Sequence, residues 1–152
     1  MSKVIPWVIL ISLVTILTSI SFTQPWILSD SNSFLKAFMG AELLATLGVI
    51  VSITLASAAN MVMHLNRTTD ETATRFDRTR GSIKRSCLTL IYSLIGAVIL
   101  VTVKPLLPQS EFNLAMANSF GLLLLYVNAS VLLDLTRTSL SIPPASDVRK
   151  SK

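Results

Sequence analysis

The 152-residue chain is 51% hydrophobic and only 14% charged, with a mean hydropathy of +0.65 and a net charge of +5. A water-soluble domain of this size needs more polar surface than that, so a lipid-facing exterior is expected. One cysteine, Cys87, and one histidine, His64, exclude an intrachain disulfide, a Cys/His metal centre and the paired axial ligands of a membrane haem within one subunit. No cofactor is expected.

About 20 predominantly apolar residues in a helix cross the hydrocarbon core of a bilayer. Four segments meet that condition. The first runs from Val4 to Phe22, with Pro6 in a position tolerated in an opening helical turn. Lys3 ahead of it and the small residues Ser19 and Ser21 are also features of a secretory signal peptide, but we read the segment as a span. The second runs from Ala37 to about Leu65, carries Glu42 as its only charge, and is longer than a perpendicular crossing requires. The third, Cys87 to Val103, stops at Lys104 and Pro105; the fourth, Leu114 to Leu133, stops at Asp134.

Of the 13 lysines and arginines, only Lys36 and Lys104 fall in the first and third connections. The others stand at Lys3, in loop 66–86 (Arg67, Arg75, Arg78, Arg80, Lys84, Arg85) and in the tail (Arg137, Arg149, Lys150, Lys152). Basic loops stay in the cytoplasm, so both termini and the middle loop are placed there. The expected fold is therefore all-α. It is an integral membrane four-helix bundle with spans near 4–22, 37–65, 87–103 and 114–133, followed by a basic tail over 135–152. The sequons at Asn66 and Asn128 would then lie in the cytoplasm and within the membrane, where glycans are not added.

Each span has a smaller or more polar side. In the second, Ala41, Ala45, Gly48, Ser52, Ala56 and Ala59 or Asn60 recur at steps of three or four, which lines small side chains along one face. The fourth carries Asn118, Gly121, Leu125 and Asn128 on one face; the first adds Ser12, Thr15 and Ser19, the third Thr89, Ser93 and Gly96. Two readings remain open. These sides meet inside one bundle and satisfy each other, or Asn118 and Asn128 face a water-filled path or a subunit contact. Glu42, an acid inside a predicted span, is either an interfacial residue near Lys36 or a proton or cation site.

The stretch after His64 lacks proline, and Arg67, Glu71 and Arg75 are spaced four apart, which supports helix continuing into water. The second helix is thus expected to extend toward Gly81, with Ser82 capping the next one. From Lys36 to Arg80 such a helix would measure about 67 Å at 1.5 Å per residue. Arg75, Arg78, Arg80, Lys84 and Arg85 form the most basic cluster, suited to anionic lipid headgroups or to an acidic cytosolic protein. Phe76 is the only aromatic residue of that loop, which argues against a nucleic-acid strand as its partner.

The aqueous segments offer no paired carboxylates or nucleophile–base sets, so an enzyme is not expected. A four-span proton-coupled transporter resting on Glu42 is one alternative, and a holin-like permeabilising protein another. The span count and the basic loop around Arg75 to Arg85 resemble the small four-span proteins of bacterial anti-phage systems, such as the membrane subunit of the Kiwa system. That resemblance implies a homo-oligomer of the bacterial inner membrane that recruits a cytosolic effector and responds to infection. The expectation is a non-enzymatic anchoring, signalling or pore-forming subunit in contact with lipids, with copies of itself and with a cytosolic protein.

Overall fold

The computed structural model describes residues 4–67 and 73–140, with side chains over 5, 7–63 and 81–137. All of the regular structure among the described residues is helical. Helix α1 spans Val4–Thr23, rich in isoleucine, valine and leucine. A helix pairs its backbone N–H and C=O groups internally, which outweighs the mild helix aversion of β-branched residues. It ends at Gln24, which is non-helical, because Pro25 pushes the preceding residue out of the α conformation. Pro25 then opens the single turn α2, Pro25–Leu28.

A second short helix, α3, covers Ser33–Ala37. Asn32 caps it by accepting from the backbone N–H groups of Phe34 and Leu35 at 3.1 and 3.4 Å. The next five residues, Phe38–Glu42, form a widened turn in which Met39 and Gly40 leave the helical conformation. Helix α4 follows over Leu43–Arg67, α5 over Ala73–Val103, and α6 over Glu111–Leu140 after a 3₁₀ turn at Lys104–Leu106. Segments Ser33–Met63, Gly81–Leu106 and Glu111–Arg137 are long and apolar enough to cross a membrane; Trp7–Thr23 is a shorter apolar helix.

Two expectations change. The second helix is not one rod from Lys36 onward, since the chain breaks at Met39 and Gly40; its expected continuation beyond Arg67 lies outside the described residues. Gly81 and Ser82 do not start a new element either but lie well inside α5. A single interior glycine costs a helix only about 1 kcal/mol, and Ile83 recovers more than that by burying against the α4–α5 seam with Ala58 and Leu90.

Helix α6 is the hub. It packs against α1, α2, α4 and α5, while α4 and α5 also pack on each other. Between Leu114 and Leu135, its two buried leucines, the buried positions are small or compact: Ala115, Ala117, Asn118, Ser119, Gly121 and Asn128. One core cluster gathers Leu17, Leu28, Leu35, Met39, Leu43, Leu47, Ala97 and Ala115; the other gathers Val51, Ala58, Ile83, Leu90 and Leu135. Helix α1 lies along α6, with Phe22 against Phe112 at 5.0 Å between ring centroids. An open apolar cleft of about 120 Å³ remains between them, lined by Trp7, Leu10, Tyr126 and Val131 among others.

Met39 turns the helix break into a lock. A Cβ added at Gly121 would stand 2.5 Å from the Met39 sulfur and 3.4–3.5 Å from Leu100 and Leu43, so the thioether fills a notch that only glycine leaves open. The end of a methionine is flexible, whereas the fully buried Leu43 and the half-buried Leu100 have less room to move. Gly121→Ala is expected to cost about 1 kcal/mol and Gly121→Leu about 3 kcal/mol or more. Thermal unfolding of the two variants in the same detergent checks the order.

Candidate functional site

Three polar features stand out from the apolar packing: a clasp at one end of the bundle, an amide pair inside it, and an outward face on α4. At the clasp, Lys104 is 9% exposed, a burial that an ammonium tolerates only with a counter-charge. Its Nζ donates to Asp30 Oδ1 at 2.7 Å. Asn118, fully buried on α6, donates through Nδ2 to the Leu28 carbonyl at 2.8 Å and to Asp30 Oδ1 at 3.1 Å. Ser21 and Ser119 meet at 3.1 Å nearby, and Ser31 donates to Glu111 at 3.0 Å. The strap over residues 24–37 is thereby tied across the end of the bundle.

Partial burial of the Asp30 carboxyl works to raise its pKa. The hydrogen bonds from Lys104 and Asn118, with the charges of Lys104 and Lys36, outweigh it and hold the group below the usual carboxylate value of 3.8. The carboxylate is committed to the clasp and is not poised as a general base.

Inside the bundle, Asn128 donates through Nδ2 to Ser93 Oγ at 2.6 Å and to the Leu124 carbonyl at 2.8 Å. The Oδ1 atoms of Asn118 and Asn128 have no partner. The two amides are separated by ten residues, about 15 Å along α6. Met39, Leu43 and Leu100 close around Gly121 between them. Both amides thus face the interior of the subunit, with apolar side chains in the interval.

The third feature lies on the opposite side of α4 from its core residues Leu43, Leu47, Val51, Thr54 and Ala58. Ala41, Ala45, Ser52, Ala56, Ala59 and Asn60 are exposed and Gly48 is half-buried. A Cβ added at Gly48 would meet nothing within 4 Å. Among the described residues the exposed small side chains of this face therefore do not serve contacts within the subunit. Glu42, at the head of this face, is exposed as well.

Of the basic cluster, Lys84 and Arg85 are exposed on α5, while the side chains of Arg75, Arg78 and Arg80, and that of His64, lie outside the described residues. Cys87 is half-buried against the second core cluster. Among the described residues no group of His, Cys, Asp and Glu side chains is arranged to hold a metal ion. The clasp was not anticipated from sequence. Its signal was nonetheless present: Lys104 is isolated at the end of an apolar run, and Asp30 is the only acid between the first two such runs.

Because the folded Asp30 has a depressed pKa, its ionised form adds stability at pH above the ordinary carboxylate range. That contribution is lost as pH falls through the folded value. The unfolding temperature of the wild type in detergent is expected to fall more steeply below about pH 4 than that of Asp30→Asn, which is less stable at neutral pH. No family model, curated protein or solved structure matches this chain.

Proposed function

We propose that the chain is a self-associating, non-enzymatic subunit of a bacterial inner membrane that anchors a cytosolic protein through its basic loop. The observation that carries this reading is the outward face of α4, where small residues repeat along a helix without a neighbour among the described residues. In lipid there is no hydrophobic force between helices, so close van der Waals approach across such faces is what brings them together.

On this reading α1, 20 residues and about 30 Å long, is a fourth span beside the three longer apolar helices. Both termini and the region between α4 and α5 face the cytoplasm, as the lysine and arginine distribution requires. Helix α5 has 31 residues, more than a bilayer needs, and its excess lies at the basic end that carries Lys84 and Arg85. That end is a surface for an acidic partner. The resemblance of the layout to anti-phage membrane subunits points to infection as the stimulus the assembly reports. A transporter built on Glu42 is less well supported, since that carboxylate is exposed at the mouth of α4 and not enclosed by other spans.

Gly48→Leu tests self-association. The added side chain has open space within the subunit, so the unfolding temperature should stay within about 2 °C of the wild type. Mass photometry in nanodiscs should show oligomers converted to monomers, and persistence of the wild-type distribution refutes the α4 contact. Reversing Arg75, Arg78 and Arg80 to glutamate should abolish copurification of the cytosolic partner with oligomer size unchanged. Undiminished recovery moves the docking surface elsewhere.

A further inference from the structure

The outer end of the bundle carries Asp30, Lys36, Glu42, Lys104 and Glu111. Asp30 and Lys104 pair with each other, and Glu111 accepts from Ser31. Lys36 and Glu42 are both exposed, and neither side chain has a hydrogen bond or ion pair among the described residues. The break at Met39 and Gly40 separates them: Lys36 belongs to the strap, where its charge acts on Asp30, and Glu42 stands at the head of the outward α4 face. The subunit thus presents one unmatched acid and one unmatched base at the same end.

We infer that a second copy of this chain docks on the outward face of α4, with Glu42 of one copy paired to Lys36 of the next. The inference rests on the self-association proposed above and names the contact that orients it. Copies inserted in one membrane share a direction, so the two residues lie at nearly one depth in neighbouring subunits. With two of the six steps non-helical at the break, at most about 13 Å separates the two positions along the chain, a span that long acidic and basic side chains together bridge. Below the pair, Ala45, Gly48, Ser52 and Ala56 allow the backbones to approach, and they do so on the side where Gly48 has nothing within 4 Å. A lipid phosphate would answer Lys36 and leave Glu42 unmatched. A soluble protein would not reach down the apolar length of α4. A second copy satisfies both charges and covers the face.

The test is a charge exchange on the full chain in nanodiscs of neutral lipid, with the monomer–oligomer distribution followed by mass photometry across protein density. Lys36→Glu and Glu42→Lys should each weaken association about three- to tenfold, the scale of an interfacial ion pair turned repulsive. The double exchange should return to within about twofold of the wild type. Thermal unfolding of each variant is recorded alongside, because Lys36 also acts on Asp30. A double variant no tighter than the weaker single variant overturns the pairing, as does an unchanged distribution in both single variants, the signature of headgroup contacts. If the wild type itself is monomeric at every density, the self-association proposed above fails too, and that outcome is distinct from the others.

Discussion

A polar side chain surrounded by hydrocarbon has to find its partner inside the protein, and the arrangement around α6 supplies acceptors for the amide N–H groups of Asn118 and Asn128, though no donor for their Oδ1 atoms among the described residues. Asn118 and Asn128 are fully buried because α6 is the helix on which the other elements converge. Asn118 spends its amide on the strap, and Asn128 spends its own on Ser93 of α5. Each bond joins elements far apart in the chain, so the amides act as orientation marks in a molecule whose apolar contacts alone would permit helices to slide. The threonines follow a cheaper rule: Thr15, Thr18, Thr102 and Thr136 return their hydroxyls to the carbonyl four residues earlier and need no neighbour.

Helix content was legible because apolar run length depends on composition, and each run does become a helix. The small-residue repeat on α4 was equally legible, but its direction was not. Periodicity identifies which residues share a face without saying whether the face turns inward, and here the bulkier Leu43, Leu47 and Val51 took the interior. The strap was illegible for a different reason. Its cohesion comes from Asp30, Lys104 and Asn118, which are 74 and 88 residues apart in the two contacts concerned, and no local pattern encodes such pairings. Gly81 misled in the opposite sense, since a residue that often ends a helix was held within one by the packing of Ile83 beside it.

The strap also changes how the connection between the first two apolar segments should be regarded. A loop of that composition would be drawn as a flexible tether; instead it contributes Leu28 and Leu35 to the same core as Leu17 and Leu47, and leads directly into Met39, which joins them there. Met39 reaches from the point where the helix breaks into the space that Gly121 leaves on α6. The break and the notch are therefore one device, in which a departure from regular helix on one element supplies the knob for a gap on another.

The principal support of α1 is α6, so among the described elements the first leans on the last. During synthesis it has to wait for that neighbour, since α1 ends at Thr23 and α6 starts only at Glu111. Its uniform greasiness, with threonines that bond their own backbone, suits it to that solitary interval. A product cut short before α6 therefore leaves α1 without its main neighbour. Quality-control proteases that recognise unpaired spans would have a clear mark by which to distinguish incomplete chains from finished ones.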